Sequence, residues 1–532
     1  MAASAQDQSE IISAALYLSG AGTDEDISPE WISRLEALSG RKISVNTRRL
    51  RSYGLLTPYQ EAAILDYRGR CGDILSWEEL SLVDGFSREA VDALRPFLSL
   101  LSDRVPGTSD TLRLKASALL RTTLSSIGGK ARLTGSWWRA GAAYRGKDWT
   151  FFAEAEAGAF RFVLGDYNIR FGQGLTHWSG FSMDALSSVE AFIKRAGGLS
   201  PVWSYSSADV HRGISAEYSS RHVRGVVFLD KKLMAGAHAD YYGKCFQTGF
   251  TVITEGFKGM PSFSLDGTAH LGGVLLAGEV GLRSSSFSGT GSAIVAIPGG
   301  SRLSFQLRGI PSAFSGKKNG EYGFAAGYDY SSEKRRQLHG KSGFGSSVPV
   351  HSFSFTADAA LLPIPGGDTR RFQLRAYTQW RFQALSHFAV LLRFTERYRN
   401  YERPRSAIRA DIVLGTGPWS GTLRSELVYC EKLSFLTYAE GGYKGKALGG
   451  YLRLTAFSAD SWADRIYTYE RDAPGTFSVP AYYGKGLSAA LMGSWKYKFR
   501  WLIIKAYLRA AYTIKKEHKP APVLNFQLML EI

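Results

Sequence analysis

From residue 486 to the end, apolar and polar side chains alternate with a period of two. Between residues 501 and 512 the even positions are Leu502, Ile504, Ala506, Leu508, Ala510 and Tyr512, while Lys505, Tyr507 and Arg509 occupy the odd face. The last ten residues repeat the pattern, with Leu524, Phe526, Leu528, Leu530 and Ile532 opposite Asn525, Gln527 and Glu531. The segment before them sets Leu487, Leu491, Trp495 and Phe499 against Ser488, Ser494 and Lys498. Strict alternation over about ten residues predicts half-buried strands. The same reading holds at Leu303/Phe305/Leu307, Leu374/Trp380/Phe382, Phe388/Leu392/Phe394, Ile408/Ile412 and Leu452/Leu454.

Some 18–22 such segments are expected after residue 110, joined by turns rich in Gly, Ser, Asp and Lys. No helical sequence remains there to cover the apolar faces, so a soluble layered fold lacks its second layer. Closing the sheet satisfies every backbone group and removes the edges, as lipid requires. The predicted fold is therefore an all-β transmembrane barrel of antiparallel strands, preceded by a small all-α domain. No uninterrupted apolar run of about 18 residues suggests a spanning helix. Trp380, Trp495 and Tyr512 suit the aromatic belts of such a barrel.

The first hundred residues follow a different period. Residues 11–18 form a short apolar segment, and residues 28–38 read as a helix with Trp31, Leu35 and Leu38 on one face. Two similar units follow. In one, a turn at Gly54–Pro58 enters a helix over about residues 59–68; in the other, Val83–Ser87 enters a helix over residues 88–94, stopped by Pro96. Ser76 and Ser87 are candidate N-caps and Pro58 suits a first helical position. Residues 102–110, SDRVPGTSD, read as a linker. The division is a helical module at 1–100 with its core at 43–100, a linker at 101–110, and a barrel at 111–532.

Charge separates the two parts further. Residues 1–100 hold 10 Lys+Arg and 15 Asp+Glu, net −5, and the remainder holds 55 and 32, net +23. Attraction for polyanions belongs mainly to the strand-rich part. On the polar faces, Arg375, Arg393 and Arg409 admit two readings: a cationic lumen for an anionic solute, or a filled interior whose arginines pair with Asp411, Glu426 and loop carboxylates. Cys71, Cys245 and Cys430 have no metal or redox spacing.

The stretch GDYNIRFGQGLTHWSGF, residues 165–181, reads as a strand to about Phe171 and then a glycine-loosened loop with exposed aromatics. Its Gly172-Gln173-Gly174 spacing does not fit a nucleotide fingerprint. Residues 189–195, with Phe192, Lys194 and Arg195, are expected to fold inward as a small plug. Arg170, Gln173, Lys194 and Arg195 are thus candidate lumen or loop residues. His177, near Ser179 and Asp184, is the best candidate for nucleophilic chemistry, yet a loop histidine is far more often a surface residue; the chain is read as non-enzymatic, with no cofactor or metal.

The segments VNTRRLRSYGLLTPYQEAAILDYR and SWEELSLVDGFSREAVDALRPFL resemble the tandem helix-hairpin-helix domain also found in competence-type DNA-uptake receptors. That resemblance implies a hairpin whose backbone N–H groups meet a DNA phosphate at a helix start. By position it falls on Gly85, Phe86 and Ser87 in the second hairpin and on Thr57 in the first, helped by Arg48, Arg49 and Arg51. Ser87 replaces the second glycine, and Leu55 and Thr57 replace both in the first. Joined to the 165–181 segment, the whole resembles Bacteroidetes-type outer-membrane barrels with an N-terminal helix-hairpin-helix domain. The implied location is the outer membrane, with the module periplasmic under the pore. The implied partners are outer-membrane lipid, a periplasmic protein and DNA; oligomeric state is left open. A barrel of this kind is exported, and Met1–Ala5 resembles the small-residue end of a signal, so the expectation is a misplaced start or a sequence beginning near the cleavage site.

Overall fold

The computed structural model describes all residues except 1–7, 21–26, 28, 39–41, 48–49, 51–52, 103–113, 181–187, 206–208, 221, 257–258, 316–319, 333–349, 363–370, 386, 477 and 517. Twenty-four antiparallel strands close into one barrel, two more than the upper end of the expected range. Closure joins the last strand, His518–Glu531, to the first, Lys115–Thr123, in a register running from Asn525↔Thr123 to Glu531↔Ser117. Several strands alternate weakly because they are poor in large apolar residues. Ile127–Thr134 (IGGKARLT), Trp138–Arg145 (WRAGAAYR) and Ser286–Ile297 (SFSGTGSAIVAI) put Gly and Ala where their neighbours have Leu or Phe.

The alternation sorts side chains as the period requires. Leu452, Leu454, Leu487, Leu491, Leu508 and Ile514 are exposed on the outer face. Lys505, Arg509, Gln527 and Arg453 are buried on the inner one. An outer wall this apolar is tolerable only against hydrocarbon. The described residues contain no helix long and apolar enough to cross a membrane. Outward aromatics gather near the ends of strands, with Trp419 against Tyr443 and Trp495 stacked on Tyr497.

Both ends of the barrel lie at one rim, here the terminal rim. Strand connections there are mostly of two or three residues, as at 158–159, 272–273 and 417–418. Gly158 and Gly417 take positive φ of 58°, which the first position of a two-residue hairpin demands. At the opposite, loop rim, two long connections, 171–210 and 460–483, turn back into the lumen. The first pairs a short strand, Gly198–Pro201, with the end of Phe160–Arg170. The second packs Ile466 and Tyr482 against the inward Val428, Leu436, Tyr438 and Phe457.

The N-terminal module has helices α1 (Gln8–Ser19), α2 (Pro29–Leu38), α3 (Pro58–Cys71), α4 (Trp77–Leu82) and α5 (Arg88–Leu94). Its helix starts follow the expected chemistry. Thr57 and Gln60 form a reciprocal capping box with Pro58 at the first position of α3. The Ser76 and Ser87 hydroxyls accept from Glu79 N and Ala90 N. One feature departs from the all-helical expectation: Ile43–Asn46 and Leu98–Ser102 pair as a parallel two-stranded ladder. Asn46 sits between its ends, donating from Nδ2 to Ile74 O and Leu100 O and accepting from Ile74 N. The module has its own core, including Ala14, Leu35, Val45, Leu55, Ile64, Leu80, Leu94 and Phe97.

Candidate functional site: the module inside the barrel

The module sits within the lumen, against inward-facing side chains mainly of the first half of the barrel, rather than below the pore. The C-terminal end of α2 shows how the wall holds it. A helix leaves its last carbonyls without partners. Here Arg132 donates to Glu36 O at 3.3 Å, and Arg139 donates to Ala37 O at 3.1 Å. Both guanidiniums come from barrel strands, are buried, and place positive charge where the helix dipole is negative. Arg139 is anchored in turn on Glu154.

At the other end of α2, Glu30 lies 2.7 Å from Arg34 and 3.1 Å from Arg170. Arg34 also donates to Arg195 O at 3.1 Å. Burial, with Arg170 alongside, pulls Arg34 down to about 9. Burial likewise raises Glu36, against the pull of Lys130. The turn before α3 meets the inward loop backbone to backbone. A Cβ on Gly197 would stand 2.9 Å from Tyr53 O, and one on Gly54 would stand 3.1 Å from the Gly197 Cα. Arg195 donates to Leu55 O at 3.3 Å, and Tyr53 donates to Glu156 at 3.2 Å. Tyr59, in the first turn of α3, stacks on the inward His270 with centroids 3.6 Å apart. Between Leu56, Glu61, Gln173, Arg195, Arg224 and Asp266 there remains a cavity of only about 20 Å³, room for a water.

The inward loop is fixed to the wall by its glycines. Gly172 and Gly174 take positive φ, so the N–H groups of Gln173, Leu175 and Thr176 all point at Glu279, at 2.8, 2.9 and 3.2 Å. A Cβ at Gly172 would stand 2.8 Å from that carboxylate. The spacing that fits no nucleotide motif thus cradles a carboxylate of the same chain. Gln173 also clips the loop, accepting from Lys194 N at 3.0 Å and donating to Lys194 O at 3.4 Å. The expected inward fold of 189–195 is present: Val189 and Phe192 are buried, and Glu190 pairs with Arg302 at 2.5 Å. Of the aromatics expected to be exposed, Phe171 and Trp178 are covered fully and in part, and Phe181 lies outside the described residues. Phe171 is buried and stacks on His238 at 4.2 Å, and Lys194 lies over Trp178 at 5.3 Å, because the loop lines the lumen instead of leaving it.

The hairpin residues serve packing in this arrangement. Gly85 takes a φ of 80°, its carbonyl accepts from Gln60 Nε2 at 2.8 Å, and a Cβ there would stand 2.7 Å from the Tyr59 ring. Phe86 is buried, and the Ser87 and Thr57 hydroxyls occupy the N–H groups that a phosphate would use. Arg48, Arg49 and Arg51 lie outside the described residues. The His177–Ser179 pairing does not form. His177 Nε2 is 2.8 Å from His211 Nε2, while the Ser179 hydroxyl accepts from Ile169 N and donates to Ile169 O. Asp184 lies outside the described residues.

The remaining candidates divide. Arg170, Gln173, Lys194 and Arg195 come together around the module. Arg409 is buried and shares Asp411 with Arg424 at 2.6 and 2.7 Å, as the filled-interior reading expects. Arg375 reaches Asp358 at 2.7 Å, and Arg393 donates to Gln379 at 2.8 Å and lies over Tyr377. Sequence reasoning missed Glu30, Arg34, Arg132, Arg139, Tyr59, His270 and Glu279. Each reads as an ordinary helix-surface or lumen residue until its partner is known. The inward turn of 460–483 had a signal, a long interval without alternation between two regular strands.

The class is therefore a closed outer-membrane β-barrel with a small helical region folded into its lumen. No protein-family model and no curated protein matches the sequence. Among solved structures, the P pilus usher (PapC) translocation pore is similar at 9% identity, covering 79% of this chain and 98% of that one, with a TM-score of 0.33. The E. coli P pilus tip assembly intermediate PapC-PapD-PapK-PapG is similar at 9% identity over 80% of this chain and 62% of that one, with a TM-score of 0.47. Pseudomonas aeruginosa OccK3 is similar at 9% identity over 79% and 93%, with a TM-score of 0.28. These likenesses are of fold class alone, and no functional argument rests on them.

Proposed function

We propose that this chain is a non-enzymatic outer-membrane barrel closed by its own N-terminal module, which docks a periplasmic partner and leaves the lumen wall when that partner binds. The capping of α2 by Arg132 and Arg139 carries the reading, since two buried wall arginines are spent on the backbone of the module. Short turns mark the periplasmic side of such barrels, and the short connections of the terminal rim support a periplasmic orientation for it. On parts of the module remote from these wall contacts, Leu75, Leu82 and Leu101 are 82%, 82% and 64% exposed, apolar surface that a protein partner would cover. Guidance of DNA by the same module is not favoured, because the two hairpin helix starts are occupied by their own side chains.

The test is planar-bilayer conductance of the purified full chain. The wild type is expected to stay closed, and Gly197→Val, which pushes a side chain into Tyr53 O without demanding a new backbone conformation, is expected to open it. A wild type that conducts as an empty 24-stranded pore would refute the closed state. Capture of a periplasmic protein by wild type, lost in a Leu75→Asp/Leu82→Asp variant, is the expected sign of docking.

A further inference from the structure

When α2 leaves the wall, the charge of the wall changes with it. The contacts between them join bases of the barrel to acids and carbonyls of the module. Arg170, at the loop-rim end of Phe160–Arg170, has Glu30 at 3.1 Å. Arg132 donates to Glu36 O at 3.3 Å, at the end of α2 where the helix dipole is negative. The Glu36 carboxylate and the Lys130 ammonium stand together against Gly475 of the second inward loop. A Cβ on Gly475 would lie 3.6 Å from both Glu36 oxygens and 3.8 Å from Lys130 Nζ. Glu30 and Glu36 belong to α2, whereas Lys130, Arg132 and Arg170 belong to barrel strands and are buried beneath the module.

Departure of α2 therefore takes two carboxylates and a helix C-terminus out of the lumen and leaves three basic side chains facing water. Nearby acids of the wall stay bonded to other arginines. Glu154 holds Arg139 and lies 3.9 Å from Arg161, and Glu217 holds Arg161 at 2.8 Å. The loop 460–483 bounds the cleared space through wall bonds of its own, with Tyr469 O accepting from Arg453 at 2.6 Å and Asp472 from Arg121 at 3.3 Å. The path opened by the module is thus narrower than the empty barrel and lined on one side by unmasked bases.

We propose, on the strength of the departure inferred above, that this path prefers small anions, and that Lys130, Arg132 and Arg170 set the preference. A passage walled by one sign of charge gathers counter-ions and repels co-ions, and rings of Arg and Lys do this in anion pores. The same three residues hold α2 in the closed state and select what passes in the open one.

Reversal potentials of full-length Gly197→Val in planar bilayers, under a gradient of potassium chloride, test the assignment. Chloride is expected to pass over potassium by about threefold or more. In the same background Arg132→Gln/Arg170→Gln is expected to abolish the preference, and Arg132→Lys/Arg170→Lys, which keeps the charge, to retain it. Lys496→Gln/Lys498→Gln, which removes as much charge near the terminal rim in the other half of the barrel, is expected to retain it as well. Heat-modifiable gel mobility of each variant verifies that the barrel is folded. Conductance without anion preference, or equal loss of preference in both Gln double variants, would overturn the assignment and leave closure by the module standing. A Gly197→Val protein that does not conduct would remove both.

Discussion

Two parts of the lumen wall have the same strand pattern and opposite fates. From Lys115 to about residue 331 many of the inward charges, such as Arg132, Arg139, Arg161 and Glu217, are buried under the module and the loop 171–210. From Arg371 to Arg399 several meet water. Arg161 in the first part is wholly buried, bonded to Glu217 at 2.8 Å and to Leu199 O, with Tyr53 of the module under its guanidinium at 4.6 Å. Arg397 in the second is 40% exposed and 3.6 Å from an equally exposed Glu402. Apolar-out, polar-in alternation thus decides which face a residue takes and says nothing about what will cover that face. The covered arginines act as structural ties between wall, loop and module, whereas Arg375, Arg397 and Arg399 keep contact with water.

The sharpest way to break the comparison is to remove one arginine from each side. Arg161→Met removes the guanidinium held between the buried carboxylates of Glu217 and Glu154, a loss of about 3–5 kcal/mol. Arg397→Met is expected to change stability by about 0.5 kcal/mol or less, as for an exposed pair. The midpoint temperature of heat-modifiable gel migration measures both. Equal shifts in the two variants would mean that the two walls are not energetically distinct.

A smaller effect concerns the module alone. Thr57→Ala removes the hydroxyl that accepts from Gln60 N and half of the capping box, at a cost of about 1 kcal/mol. Because α3 meets the wall through Tyr59 in its first turn, the loosened helix start should increase trypsin cleavage within residues 58–71 while leaving the barrel midpoint unchanged. If the midpoint fell with it, the module would be part of the barrel's cooperative unit rather than a body docked within it.

Much of this was legible in the sequence, and the residues show why the rest was not. The strands near the C-terminus declare themselves because Leu, Ile and Trp recur every second position. Trp138–Arg145 does not, since its outward positions include Ala140 and Ala142. The module's helix starts were readable from Thr57-Pro58, Ser76 and Ser87, which act within four residues of themselves. Docking was not readable in the same way. Arg132 and the carbonyl it caps are 96 residues apart, and an arginine on a strand has the same sequence signature whether it meets a helix end, a carboxylate or water. The glycines of 172–174 were visible as a special backbone, but their ligand, Glu279, lies more than a hundred residues away in an unremarkable strand.

The smallest expected effect is a pH dependence confined to the module. Glu79 accepts from Leu75 N at 2.7 Å and from the Tyr67 hydroxyl at 2.8 Å, and these bonds, the Leu75 one foremost, hold its carboxyl below the usual glutamate value. A carboxylate depressed in the folded state contributes stability above its unfolded value, and that contribution fades as the pH falls through the folded value. Glu79 should therefore support the entry to α4 at neutral pH and lose that support only as the pH falls below the ordinary glutamate range. The group is half-buried at the module surface, so the change should be slight and weaken further with salt. Amide exchange at Leu75 and Glu79 is the suitable readout, because both N–H groups donate into this short network. Glu79→Gln should show acid-insensitive exchange there, with the docked face of α2 unchanged. Acid-dependent release of α2 in the Gln variant would place the responsible carboxylate elsewhere.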